Sequence, residues 1–482
     1  MHEHFTRSGR MSPNTYGNKL DFALTHYGRA IREVVHINET RGEHAFDCAL
    51  ITCGLFSIFE SLQGHYHSAF SHAVSGIKIM AEWQQDRLSK LRTSDRNMYI
   101  AHSELMRFFF AFWRQILEIG DWNFQGERPL LDPPAWRTPE IFRSNDEALT
   151  YVEYNMSAFF AFYEKTERLT RTGAMTPEIG VDMQAKFQTL TKSLSDCEQA
   201  CQAMVASRAD PSLGKTPSGL ILGIHRILLT IFVALMQTTM EPDAFDHHLP
   251  LIQEALDFVE EFLVVTNSLI PGDSPPRSRK NSPSRSVSPE TRALSLDRTM
   301  APRFSMSPGV VPILFVIATR CNELSARDRA LHLLRICNRK EGFWDSQLSA
   351  CLATRTIEIK ANAVEKFRSA TPNGFGNREV RDSDITMKLE AIQYYPDNEC
   401  VLHYSLMWPL GDDASDDGMG LALGTPGEAL IRKRDFSERL AWGDQLDVVG
   451  TEDAFTSMMP NGLISEEIRK PLHVWEKHGM VR

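Results

Sequence analysis

The sequence predicts an all-α fold, a bundle or superhelix of αα-hairpins that carries one small β-hairpin near residues 380–407. Three observations point there. Long stretches place apolar residues three and four apart, the spacing of one helical face. In the first half of the chain no run alternates apolar and polar residues with a period of two, the mark of a half-buried strand. The composition, 42% hydrophobic and 24% charged over 482 residues, is that of globular material long enough to bury a core.

In chain order, Met1 to Lys19 is polar and is expected to be disordered. Leu20 to Val35 is amphipathic, with Phe22, Ala23, Tyr27, Ala30, Ile31 and Val34 on one face. The chain is organised around the next stretch, Phe46 to Trp83. Cys48 to Leu62 is apolar on almost every side and reads as a helix buried all round. Gly64 breaks it, and from Tyr66 a single apolar face follows through Ala69, Phe70, Ala73, Ile77, Met80 and Ala81. Two helices joined by so short a turn lie antiparallel, an αα-hairpin resembling a tetratricopeptide unit. Gly76 interrupts the apolar face, and its missing side chain is expected to admit a neighbouring backbone.

Ser94 to Ile119 reads as a long apolar helix, and Asp121 to Ser144, with four prolines and two tryptophans, as an ordered connection. Helices are then expected over Asp146–Thr172, from Pro177 to about Arg208, over Pro217–Met240 and over His247–Leu269. Pro271 to Thr299 is dominated by proline, serine and arginine and nearly lacks large apolar residues, so it reads as a disordered linker over residues 271–300. Its Ser274, Ser282 and Ser288 each precede proline, a setting for proline-directed phosphorylation. Arg277, Arg279, Lys280 and Arg285 have no acidic neighbour until Glu290, which gives either a solvated linker with incidental charge or a nuclear-import patch.

Order resumes with helices at Val310–Asn322, Ala326–Arg339 and Ser349–Phe367, with Gly342 ending the second, Trp344 docked between helices and Asp345 capping the third. Ile385, Met387 and Leu389, then Val401, His403 and Ser405, alternate across the sequence PDNE, which predicts the hairpin and a surface for it to pack on. Residues 409–482 read as an acidic, glycine-rich, partly ordered tail, weakly helical at Gly427–Trp442 and Ser465–His478. The domains expected are thus a first helical part over 20–270 and a second over 301–408, flanked by residues 1–19 and the tail.

The central hairpin also carries a resemblance. Phe59, Glu60, Leu62, Gly64, Tyr66, Ala69, His72 and Gly76 fill an (F/Y)E-x-L-x-G-x-Y-x-x-A-x-x-H-x-x-x-G pattern. It resembles a segment of the regulatory region of fungal binuclear zinc-cluster transcription factors. A later element of that region, ALxLLxxxxRxEGxWDS, is matched by Ala330, Leu331, Leu333, Leu334, Arg339, Glu341, Gly342, Trp344, Asp345 and Ser346. The two matches stand in the family's order and span roughly Asp21 to Trp408; the tail is not covered. The resemblance implies a nuclear protein that regulates transcription through effector or partner contacts. It also implies a six-cysteine zinc cluster, which this chain lacks: none of its eight cysteines forms a C-x2-C pair. Either such a cluster is encoded upstream of Met1, or the protein acts without its own DNA contact.

The net charge of −10 argues against nonspecific attraction to nucleic acid or an anionic membrane. Gly219 to Met236 is long enough to span a bilayer, but His225 and Arg226 at its middle favour a buried helix of a soluble bundle. The cysteines fall within apolar patterns and read as small buried hydrophobes in a reducing compartment.

No chemistry assembles from the sequence. Cys197 and Cys201 are two ligands, too few for a structural zinc site. His65, His67 and His72 have no carboxylate at a supporting spacing, and His72 reads as a packing residue. Gly214-Lys215-Thr216 resembles the end of a phosphate-binding loop, but Ala209 stands where its first glycine belongs and Pro217 follows. Asp413 to Gly418 resembles a calcium loop whose bidentate glutamate is replaced by Gly424. No catalytic residue, cofactor or metal is therefore expected, and no enzyme. The partners expected are proteins or a second copy of the chain, with a small-molecule effector open, and no specific DNA binding by this chain alone. The alternative is a helical-repeat scaffold that binds a partner peptide outside transcription.

Overall fold

The computed structural model describes residues 22–33, 45–90, 102–119, 137–207, 211–237, 244–266, 303–307, 309–370, 384–395, 399–409, 421–423, 431–442 and 446–453. The expected linker at 271–300, the calcium-loop resemblance, residues 1–19 and the expected helix at Ser465–His478 lie outside them. The described residues are mostly helical and fall into two compact units, residues 135–359 and residues 11–134 with 360–482.

In the second of these, helix α1 spans 22–33, α2 Ala45–Gln63, α3 Tyr66–Lys90 and α4 His102–Ile119. Helices α2 and α3 form the predicted hairpin, and Gly64 turns it at φ 84°, a left-handed conformation that costs glycine little. Gly76 admits the ring of Phe109 from α4, not a backbone, and Gly54 admits the ring of Phe108 at 2.6 Å from where a Cβ would stand. Two glycines thus let α4 lay adjacent phenylalanines onto the hairpin, and Phe109 is fully buried there.

The predicted β-hairpin is present as β4 (Thr386–Tyr395) and β5 (Glu399–Pro409), but it does not stand alone. Strands β6 (Leu421–Leu423), β7 (Ile431–Trp442) and β8 (Leu446–Asp453) extend it into a five-stranded antiparallel sheet of order β4-β5-β7-β6, with β8 on β7. The fold is therefore not all-α with one hairpin, and within the helix expected at Gly427–Trp442 the described residues, Ile431–Trp442, form a strand. Phe436, Leu440 and Trp442 do alternate, but Glu438, buried on the same face, hides the period. Two strands alone are marginal in water; the added pairing meets that need. The sheet packs on α3 as expected, with the Tyr394 ring against Tyr66 and Phe70.

In the unit of residues 135–359, Ser144 caps α5 (Asn145–Arg171) by accepting from Glu147 N at 3.1 Å, and Glu147 reaches back to Arg143 N at 2.7 Å, a variant of the capping box. Thr176 caps α6 (Pro177–Ala206), whose first residue is the predicted proline. Helix α7 (Pro217–Gln237) packs between α5 and α8 (Leu249–Val265). Like Phe46–Gln63, it is long and apolar enough to cross a membrane, yet Phe232 of α7 lies against Phe159 and Phe160 of α5 and Gly223 receives the ring of Phe258 from α8.

Helices α9 (Val311–Arg320) and α10 (Leu324–Cys337) pair next. Arg329 of α10 ties this pair to α8 through Glu260 and Asp257, both at 2.7 Å. A small sheet follows that the sequence did not suggest. Strand β1 (Arg303–Ser305) runs parallel to β2 (Arg339–Glu341), which pairs antiparallel with β3 (Trp344–Asp345). Asn338, left-handed at φ 42°, ends α10; Gly342, at φ 61°, turns β2 into β3 and does not end the helix. Helix α11 (Ser346–Ala370) then begins under its predicted cap, with Asp345 Oδ1 accepting from Gln347 N at 2.8 Å and Leu348 N at 3.2 Å.

Candidate functional site

The two sequence patterns fold into two local knots of polar groups, the first partly buried and the second fully. In the α2–α3 hairpin, Glu60 is the hub. The Tyr27 hydroxyl from α1 donates to its Oε1 at 2.5 Å, and His65 Nδ1 stands 2.8 Å from Oε2, so a carboxylate does support this histidine, contrary to the expectation from spacing. Tyr27 also stacks on Phe59 and meets Phe56 edge-on, and its hydroxyl stands 3.4 Å from His72 Nε2. Burial, then the Glu60 hydrogen bond, pushes the Tyr27 phenol well above its ordinary value. Burial holds His72 below the usual imidazole range, with the Glu60 charge opposing. His67 turns away to Tyr394 O at 2.9 Å, so the three histidines do not converge. The pattern fixes helix α1 and the sheet onto one hairpin.

The second knot closes on Glu341, which has no exposed surface. Its Oε1 lies 2.9 Å from Arg339 Nε, and its Oε2 accepts from Gly309 N at 2.8 Å and Val311 N at 2.9 Å. It thereby satisfies backbone donors at the N-terminus of α9, where the helix dipole favours negative charge. The Arg339 guanidinium lies over the Phe262 ring, 5.0 Å from its centroid. Ser346 Oγ accepts from Arg339 N at 3.0 Å, and Trp344, 6% exposed, packs on Phe315. Each polar residue of the second pattern thus has a structural task.

Neither knot presents a reactive group. Cys197 and Cys201 are buried one turn apart on α6, and their mutual hydrogen bond, then burial, pushes the Cys197 thiol far up. Among the described residues no three His, Cys, Asp or Glu side chains are grouped to hold a metal ion. The Gly214-Lys215-Thr216 stretch forms no phosphate loop: Lys215 ends a short 3-10 turn, Pro211–Lys215, and Thr216 caps α7, its Oγ1 accepting from Gly219 N at 3.2 Å.

Lys215 and Gly219 also border a cleft of about 460 Å³ that the sequence did not disclose. It lies along α7, where Gly219, Gly223, Arg226 and Thr230 follow one another at helical spacing, with the Phe258 ring of α8 seated on Gly223. Helix α6 supplies Glu198 and Val205, and α8 supplies Leu251, Glu254, Phe258 and Glu261, again at spacings of three and four. Arg226 Nε donates to Glu198 at 2.8 Å and Nη2 bonds the other oxygen, which explains how a cation sits within so apolar a helix. Burial opposes the Glu198 charge, but the Arg226 bonds outweigh it and hold the carboxyl below its ordinary value. The signal available in sequence was Glu198 on a stripe with Cys201 and Val205; its partner lies on another helix.

No family model matches the chain, and no solved structure matches it. The chain is 26% identical over 420 residues to the aspercryptin biosynthesis cluster-specific transcription regulator atnN of Emericella nidulans. That alignment covers 76% of this chain and 67% of the regulator.

Proposed function

We propose that this chain is the regulatory region of a fungal transcription regulator, one that acts in the nucleus through protein contacts and reads no DNA sequence by itself. The observation that carries this is the 420-residue alignment with a cluster-specific regulator, which spans most of the chain and not one short motif. The two resembling patterns support it, because their residues form the two polar knots that hold neighbouring elements in place. The chain has no C-x2-C pair from which a zinc cluster is built, and its net charge of −10 leaves only a weak, salt-sensitive attraction to phosphates.

The test is transcript profiling of the host with and without the protein. Loss of transcripts from a limited set of genes, restored by the intact gene, supports the reading; an unchanged profile under every growth condition tried contradicts it. A gel shift of the purified chain at physiological salt tests the finer part. Sub-micromolar binding to a promoter fragment that a scrambled duplex does not compete away reveals a DNA-reading surface and overturns that part.

A further inference from the structure

The cleft along α7 holds charge that its own residues do not balance. Three carboxylates, Glu198, Glu254 and Glu261, border it with two cations, Lys215 and Arg226. Both cations are engaged: Lys215 lies 3.1 Å from Glu261, and Arg226 is held by Glu198. Glu254, exposed on α8 one turn before Phe258, has no hydrogen-bond or ion-pair partner among the described residues. Beside it the walls are apolar, formed by Leu251, Ile227, Gly219 and the Phe258 ring that covers Gly223.

We propose that this cleft binds a small organic amine: a protonated nitrogen held by Glu254, with an apolar body lying against Phe258, Leu251 and Ile227 beside Gly219 of α7. The volume of about 460 Å³ falls in the range of small-molecule sites. Charge selects the class. An anionic ligand meets a net excess of carboxylate and finds both cations already bonded, so it must break an ion pair to enter. A neutral ligand of the same shape gains the apolar contact alone. A cation gains both, and an ammonium beside Phe258 is further favoured by the ring face. The assignment stands on the cleft alone and does not depend on the role in transcription.

The test uses the purified full chain and three probes of one shape, 4-phenylbutylamine, 4-phenylbutanol and 4-phenylbutanoate, titrated by calorimetry with saturation-transfer NMR to confirm contact. The amine is expected to bind at least about tenfold more tightly than the alcohol, and the carboxylate more weakly than either. Glu254→Gln, a surface change that preserves shape, is expected to remove the amine's advantage and leave the alcohol unchanged. Thr230→Trp, at the exposed rim, is expected to block amine and alcohol alike, while Glu178→Gln, on the first turn of α6, leaves both as they were. Three results overturn the proposal: no probe binds at 10 mM or below (roughly the weak limit for a useful fragment), amine and alcohol bind equally, or the amine keeps its advantage in Glu254→Gln. Retained melting temperatures in the variants exclude misfolding as the cause of any loss.

Discussion

Glu341→Ala is the substitution with the most to say about why this chain folds as it does. The carboxylate is fully buried and satisfies three donors at once: Arg339 Nε, Gly309 N and Val311 N. Removing it takes the carboxylate from the guanidinium of Arg339, itself 7% exposed, and breaking a buried pair from one side costs roughly 3–5 kcal/mol. Two backbone N–H groups at the start of α9 also lose their acceptor, at about 1–3 kcal/mol each if no water replaces it. Partial relaxation overlaps these costs, so we expect a loss of about 4–6 kcal/mol. Glu341→Gln keeps the shape and one acceptor oxygen but turns an amide toward Arg339 or the backbone donors, and should cost about half as much. Gly309→Ala attacks the same contact from the other side, since a Cβ there would stand 2.7 Å from Oε1. The assay is native-state hydrogen exchange read on peptides covering 309–320, with urea unfolding alongside. A loss of about 4 kcal/mol appears as roughly a thousandfold faster exchange at α9. A loss below about 1 kcal/mol, or faster exchange elsewhere but not at α9, refutes the role assigned to Glu341.

Other substitutions test the remaining packing. Gly76→Ala should cost about 1–3 kcal/mol by forcing Phe109 off the α2–α3 hairpin, and Phe109→Leu in the same chain should recover part of it; a neutral Gly76→Ala would show that α4 does not lie as described. Trp344→Ala should cost roughly 3–5 kcal/mol as a large buried aromatic, and a cost below about 1 kcal/mol would place it at the surface. His403 lies between Ser437 Oγ at 3.0 Å and Gln393 Oε1 at 3.1 Å, and burial lowers its pKa to about 4. A base with a depressed folded pKa is protonated first in the unfolded chain, so its contribution is complete above about pH 6.5 and is lost as pH falls toward 4. That window corresponds to a loss on the order of 3 kcal/mol, measured as the pH dependence of unfolding free energy that disappears in His403→Gln; parallel curves for both proteins contradict it.

Helices were legible in this sequence because their signal is local. Pro177 in the first turn, the cap at Asp345 and the apolar stripe of α8 each lie within a few residues of what they determine. The sheet was legible only where alternation was clean, at β4 and β5. In β7 the buried Glu438 broke the period, and β1 is three residues long, too short to show one. The glycines were seen as permissive, but what enters at Gly76 is the ring of Phe109, thirty-three positions away in the chain. The polar residues of both patterns stood out by type, whereas their tasks did not, because Glu341 acts on Gly309 and Glu60 on Tyr27. The cleft was invisible for the same reason: it needs stripes from three helices, and each alone reads as an ordinary helix face.

The proposed control of transcription through protein contacts is open to a direct test. The direct measurement joins the full chain to an unrelated DNA-binding module and places it upstream of a reporter in a fungal host, beside a Glu341→Ala fusion at matched abundance. The expected result is a reporter output that differs severalfold from the module alone and returns to the module's level when Glu341 is removed. An intact, folded, nuclear fusion that leaves the reporter unchanged under every growth condition tested would contradict it.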